Sequence, residues 1–370
     1  MQANSKNDRK IHVLVVDDSA VVRQVMEAVL SHEREFSIMV AADPLIAFQK
    51  MRKTRPDVII LDLEMPRMDG LTFLRKIMTT APIPTLVCSG ITGHGTDAAL
   101  RALEEGAIGI VTKPKLGVRN FLHESAVMLI DMVRSAARAR LCLSDHRSTS
   151  KVAPKFPTAV AHTSNPLLPL PRVVAVGAST GGTEALTKIL NALPLAAPGI
   201  AIVQHMPELF TAAFARRLDQ SCEIEVKEAE DGDCITPGHA FIAPGNRHMS
   251  VQKSRGDYIL RISDGPLVSR HRPSVDVLFK SVAAVARKEA MGILLTGMGN
   301  DGANGLLEMK LAGASTIAQD ESTSVVFGMP KEAIALKAAD IIAPLPMIPS
   351  LITGSASKLP HRTRMIHRIL

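Results

Sequence analysis

From Ile11 to about Ala139 the chain alternates short apolar runs (IHVLVV, DVIIL, TLVC, IGIV) with amphipathic stretches (AVVRQVMEAVL, LTFLRKIM, TDAALRALEEG). The runs are too short for buried helices and read as strands covered on both faces. The stretches between them have the helical period, so parallel β/α units are predicted. The expectation is one five-stranded domain, four of whose strands are these runs, closed by a helix from about Val118. Between Ser144 and Pro171 the periodicity disappears and Pro154, Pro157, Pro166, Pro169 and Pro171 accumulate, which predicts a linker. From Arg172 the alternation resumes in VVAVGA, ALTKILNAL, IAIVQH, FIAPG, MGILLTG, LLEMKLAG and STIAQ, with a strand-rich insertion around residues 239–262. The expected fold class is α/β, with two doubly wound parallel-sheet domains. The predicted boundaries are a first domain over 1–135, a linker over 136–171, a larger α/β/α domain over 172–354 and a basic tail over 355–370.

A length of 370 residues lets each domain bury its own core without disulfide staples. Cys88, Cys142, Cys222 and Cys234 are widely spaced and form no CxxC pair, so neither a zinc site nor a disulfide framework is indicated. With a polar N-terminus and no apolar stretch of membrane length, the expectation is a cytoplasmic protein without membrane insertion. The net charge of +7 raises the question of nucleic acid. Six Lys/Arg against one acid between Arg134 and Lys155, and four against none after Ser355, hold more than all of that excess. The folded parts are slightly acidic and poor in stacking aromatics, so no nucleic-acid partner is expected.

Asp17 and Asp18 follow the first strand and Asp62 follows DVIIL, which places three carboxylates at the carboxyl edge of one sheet. Such a group repels itself unless it holds a cation, and an all-oxygen donor set suits Mg²⁺. Ser89 and Lys113, also at strand ends, can grip a phosphoryl group accepted by Asp62. A lone Asp in such a place is ordinarily a turn or cap residue, and Ser19 can cap the helix that starts at Ala20. The set as a whole, DDS, LDLEMPRMDG, Ser89 and Lys113-Pro114, resembles the response-regulator receiver family over residues 11 to about 135. The resemblance implies Asp62 as phosphoacceptor, Asp17 and Asp18 with it at the metal site, and Ser89 and Lys113 as phosphoryl contacts. Ile110 stands where receivers often carry an aromatic switch residue.

In the second domain Gly177-Ala-Ser179-Thr-Gly181 matches G-x-S-x-G after a strand and before a helix, the setting of a nucleophile turn with N–H donors for an oxyanion. His205 and Asp301 follow later strands and can reach the same edge, His205 as base and Asp301 as the carboxylate that orients it. The order Ser, His, Asp differs from that of the α/β-hydrolases. His239, His248 and His271 are expected on the surface or in caps, with Ser274 capping the helix VDVLFKSVAAVARK. Arg270 and Arg272 are candidates to contact an acidic protein substrate, and Met298 is placed to offer a backbone oxyanion donor.

The blocks VGASTGGTEAL, IVQHMP, FIAPGNRHM, RPSVDVLF and LTGMGNDGANGL, behind a receiver-like domain, resemble the chemotaxis protein-glutamate methylesterase (CheB) family. The resemblance spans roughly residues 172–350. It implies a triad of Ser179, His205 and Asp301, with Thr180 and Met298 near the oxyanion. It further implies a phosphorylation-activated esterase that demethylates, and deamidates, methyl-accepting chemoreceptors, with a histidine kinase as phosphodonor, Mg²⁺ for the receiver, no cofactor for the esterase, and a monomer. A phosphorylation-dependent adaptor with a vestigial esterase site is the alternative. A DNA-binding regulator would need a helix-turn-helix where strands and helices alternate.

Overall fold

The computed structural model describes residues 9–66, 68–90, 93–113, 119–140 and 170–354. Of the linker expected over 136–171, residues 141–169 lie outside the described residues, Cys142 among them, as does the tail from 355.

The first domain runs β1 (Ile11–Val16), α1 (Ala20–Ser31), β2 (Phe36–Ala41), α2 (Pro44–Lys53), β3 (Val58–Asp62), α3 (Gly70–Thr80), β4 (Thr85–Ser89), α4 (Gly93–Glu104), β5 (Gly109–Thr112) and α5 (Arg119–Ala137). Its five strands are parallel, in the order β2-β1-β3-β4-β5. The strand order reverses between β1 and β3, so the crevice at their carboxyl ends is the natural ligand site of the sheet. Ser19 caps α1 as expected, its hydroxyl accepting from Val22 N–H at 3.4 Å.

The second domain runs β6 (Val173–Ala178), α6 (Gly182–Leu190), β7 (Gly199–Gln204), α7 (Phe210–Asp219), β8 (Glu225–Glu228), β9 (His239–Ile242), β10 (His248–Ser254), β11 (Asp257–Ser263), α8 (Val275–Val285), β12 (Ala290–Leu294), α9 (Ala303–Leu311), β13 (Ser315–Gln319), α10 (Met329–Ala335), β14 (Ile341–Ala343) and α11 (Ile348–Ile352). Seven parallel strands lie in the order β14-β13-β12-β6-β7-β9-β8, and β10 pairs with β11 as a separate antiparallel ribbon. The chain starts at the centre of the sheet with β6, builds outward through β7, then returns to β12 on the other side. Residues just past β6, β7 and β12 therefore converge at the switch point.

The domains touch through α4, β5 and α5 of the first. Helix α4 packs on α6 and α7, and the apolar cores are continuous across the contact. Arg140 N–H donates to Val325 O at 2.9 Å. Ion pairs join Arg217 to Glu104, Arg270 to Asp131 (3.2 Å) and Arg140 to Glu321 (2.9 Å).

Candidate active site and acidic pocket

Ser179 sits on a turn held at both ends. Its N–H donates to Thr296 O at 3.0 Å, extending the β6–β12 ladder past the strands, and its carbonyl accepts from Gly182 N–H at 2.7 Å and from the Gln204 amide at 3.0 Å. Gly181 has φ +77°, the left-handed value that lets the strand turn directly into α6. Gly297 passes so close that a Cβ there would lie 2.6 Å from Ser179 Cβ.

His205 continues β7, its N–H bonded to Ala178 O at 3.0 Å. Its Nε2 lies 2.9 Å from Asp301 Oδ2. A carboxylate only accepts, so Nε2 carries a proton, and in the neutral ring the lone pair is on Nδ1. That Nδ1 is buried without a hydrogen-bond partner among the described residues. Ser179, Thr180 and His205 line one cavity of about 80 Å³, room for a few waters.

Asp301 is buried and accepts from His205, from Ser274 Oγ (2.7 Å), and from Val275 N–H (2.7 Å) and Asp276 N–H (3.1 Å). Burial alone would raise its pKa, yet the hydrogen bond and charge of His205, with Ser274 and Val275, hold the carboxyl below its usual range. The same contacts correct the reading of Ser274. It occupies the N-cap position of α8 without a side-chain cap bond, because its hydroxyl goes to Asp301 and the Asp301 carboxylate caps the helix instead.

The first domain forms the other wall of the cavity through Leu103, Ile108, Ile110, Met128 and Met132. Ser135 Oγ of α5 donates to Thr180 Oγ1 at 2.9 Å, and Ile108 O accepts from Gly181 N–H at 3.3 Å. Ile110 is thus a buried residue facing the candidate active site. Met298 lies beside Gly297 in a neighbouring groove with Arg138, Arg140 and Val325.

His271 departs from the surface or capping role expected of it: its ring stacks on His205 in the cavity wall. His248 is buried as well, its Nδ1 accepting from Ser274 N–H at 3.3 Å, and supports the start of α8. Arg272 is committed to Asn246 Oδ1 (2.7 Å) and Gly265 O, and Arg270 to Asp131 of the first domain. Gln204, which grips the carbonyls of both Ser179 and His205, was also missed. Its only signal in the sequence is its place before His205.

In the acidic pocket, carboxylate oxygens of Asp17, Asp18 and Asp62 lie within 4.8 Å of one another. Asp17 Oδ1 accepts from Ser19 N–H at 2.8 Å, while its buried Oδ2 has no hydrogen-bond partner among the described residues. Lys113 Nζ reaches Asp62 Oδ2 at 2.7 Å. Ser89 belongs to the same edge, but its hydroxyl donates to Gly95 O at 2.9 Å and Gly90 O at 3.2 Å instead of facing Asp62. A buried carboxylate oxygen that makes no hydrogen bond and has Lys113 Nζ 3.8 Å away, set among three acids, fits a divalent cation, which would draw on Asp17, Asp18 and Asp62.

Burial, and after it the Asp62 charge, push Asp17 up to about 6. The fold therefore prefers the protonated form, and the cost of ionised Asp17 builds between about pH 4 and 6 and is complete above. In EDTA, Asp17→Asn should raise the unfolding midpoint by a few degrees at pH 8 and leave it unchanged at pH 4. Divalent-ion affinity of the native chain should fall as pH drops through about 6. Thermal melts and ion titrations at several pH values check both.

A receiver-type acidic pocket on one parallel sheet, joined to a second α/β domain that gathers a serine, a histidine and an aspartate at its switch point, defines a response regulator fused to a serine-hydrolase-like domain. Residues 13–121 match the model of the response regulator receiver domain, and residues 174–352 that of the CheB methylesterase. Protein-glutamate methylesterase/protein-glutamine glutaminase 5 of Anaeromyxobacter dehalogenans is 56% identical over 92% of this chain and 95% of its own length. Protein-glutamate methylesterase/protein-glutamine glutaminase 3 of Geobacter metallireducens is 54% identical over 92% and 97%. The Thermotoga maritima CheB methylesterase catalytic domain, 39% identical, aligns with 50% of this chain and 98% of its own at a TM-score of 0.48. The chain belongs to the CheB methylesterase family, in the form that carries a receiver domain.

Among the described residues no helix is long and apolar enough to cross a membrane.

Proposed function

We propose that the chain is a cytoplasmic, phosphorylation-activated protein-glutamate methylesterase and protein-glutamine glutaminase acting on methyl-accepting chemoreceptors. The observation that carries the reading is a histidine that lines the same cavity as Ser179, with one ring nitrogen on a buried carboxylate and the other without a hydrogen-bond partner among the described residues. In this reading His205 Nδ1 takes the Ser179 proton as Oγ adds to the γ-ester carbonyl, and Asp301 stabilises the imidazolium. Backbone N–H groups near Thr180 and Met298 receive the oxyanion. His205 returns the proton to the leaving methoxide, releasing methanol. Water, deprotonated by the same nitrogen, then cleaves the acyl-enzyme to a glutamate carboxylate and free serine. With a glutamine side chain the leaving group is ammonia.

The receiver supplies control. Asp62 accepts phosphate from a histidine kinase, Asp17, Asp18 and Asp62 would hold the Mg²⁺, Lys113 is already on the acceptor carboxylate, and Ser89 meets the phosphoryl group once its hydroxyl turns from Gly95 O. The domain units behind this reading are 1–135, 136–171, 172–354 and 355–370, acting as a monomer. In the unphosphorylated form the α4-β5-α5 face lies over the site, with Ser135 on Thr180 and Ile108 O on Gly181. Release of labelled methanol from methylated chemoreceptor membranes tests the activity, and its absence in phosphodonor-treated enzyme would favour the adaptor. A carboxylate at the buried Ser135 should wedge the contact apart, because an unpaired charge there is costly to desolvate. Ser135→Asp is expected to raise the basal rate about tenfold, if docking is worth ~1.4 kcal/mol. A basal rate that stays at the wild-type level, with folding intact, counts against docking as the inhibitory contact.

A further inference from the structure

The rings of His271 and His205 lie flat on each other, centroids 3.8 Å apart and planes within 5°. Several contacts build this stack. His271 closes a two-residue hairpin turn in which its backbone exchanges hydrogen bonds of 2.9 and 3.1 Å with Val268. The two turn residues, Ser269 and Arg270, have φ of 51° and 66°, a left-handed pair that side chains resist and that such turns require. The ring Nδ1 donates to Ser269 O at 2.7 Å, which leaves Nε2 as the lone-pair nitrogen of a neutral imidazole. Burial, and then the neighbouring His205, depress its protonation to about 3.

A metal shared by His205, His271 and Asp301 is the competing reading, since their donor atoms lie within 4.8 Å. A bound metal lies near the plane of each imidazole that ligates it. Two nearly parallel rings at 3.8 Å share no such point, and Nε2 of His205 is already on Asp301.

We propose that His271 is a positioning residue for the esterase reaction, its neutral ring face holding the His205 imidazole in the plane that aims Nδ1 at Ser179. Asp301 grips His205 at one atom, and a bond at one apex leaves the ring free to swing in the broad rotational well of a histidine χ2. A parallel ring in van der Waals contact blocks that swing. When His205 takes the serine proton, a cation forms over a neutral π-face and is held there, whereas a protonated neighbour would repel it. The inference rests on the assignment of Ser179 and His205 as nucleophile and base.

The test is steady-state hydrolysis by the full chain with a small phosphodonor. His271→Ala should lower kcat about tenfold or more at unchanged KM, because the loss falls on orientation in the transition state. His271→Phe keeps a flat face without the bond to Ser269 and should recover kcat to within about threefold of the native chain. His271→Asn keeps a donor for Ser269 without the face and should behave like the alanine variant. Alanine within about twofold of native kcat, or rescue by asparagine and not by phenylalanine, would overturn the proposal. If the variants do not fold, the native chain with labelled histidine decides: the His205 ring proton resonance should be displaced upfield by the stacked ring, and an undisplaced signal refutes the stack. Ser179→Ala is assayed in parallel, and activity there would defeat the esterase assignment itself, independently of His271.

Discussion

Ser179→Ala should lower ester hydrolysis by about 10⁴- to 10⁶-fold, leaving only what substrate binding and the oxyanion donors supply. The fold should survive the change, since the backbone bonds that hold the turn, Ser179 N–H to Thr296 O and Gly182 N–H to Ser179 O, do not involve the hydroxyl. His205→Ala should cost a similar factor. The double variant should be hardly worse than either, because a nucleophile and its base, as proposed for these two residues, act as a unit. Methanol release measured against circular dichroism checks this, and more than about a tenth of native activity in Ser179→Ala would exclude it as nucleophile.

Asp301→Asn should fail twice over. Catalysis should drop about 10⁴-fold, because an amide that donates toward Nε2 favours the histidine tautomer with its proton on the wrong nitrogen. The variant should also be less stable by roughly 2–4 kcal/mol, since the carboxylate accepts from Ser274, Val275 and Asp276 as well as His205 and caps α8 while buried. Thermal denaturation and kcat below the new midpoint separate the two losses. A variant that melts early but turns over at the native rate would reduce Asp301 to a helix cap.

The placement of these residues was readable in the sequence for a physical reason. Strands buried on both faces announce themselves as apolar runs, and the residue after each run is fixed at the carboxyl edge whatever the loops do. Asp17, Asp62, Ser179 and His205 were all found in this way. Strand β8 was missed because EVKE, at the sheet edge, buries Val226 and keeps Glu225 exposed, which gives no apolar run. Within the candidate site, the roles of Ser274, His248 and His271 depend on which groups a three-dimensional turn brings together. Ser274 had the right position for a cap, but a buried carboxylate 27 residues away was the stronger partner. His271 lies in a polar stretch, SRHR, and only the hairpin it closes carries it to His205. The receiver contact was equally hidden, since Ile108 and Ile110 read as ordinary strand residues until the α4-β5-α5 face is seen against Thr180 and Gly181.

That contact is the basis of the proposed control. Its exposed ion pairs contribute little each, so the apolar seam and the tether hold the closed form. A tenfold closed-to-open ratio requires only ~1.4 kcal/mol, which rearrangement of a phosphorylated receiver can remove. Methanol release from methylated chemoreceptors, compared between the full chain with and without phosphodonor and a chain lacking residues 1–164, tests this most directly. The unphosphorylated full chain should be slow, phosphodonor should raise it about tenfold, and the truncated chain should be fast and indifferent to phosphodonor, while Asp62→Asn stays slow throughout. A truncated chain no faster than the unphosphorylated full chain would contradict control by occlusion.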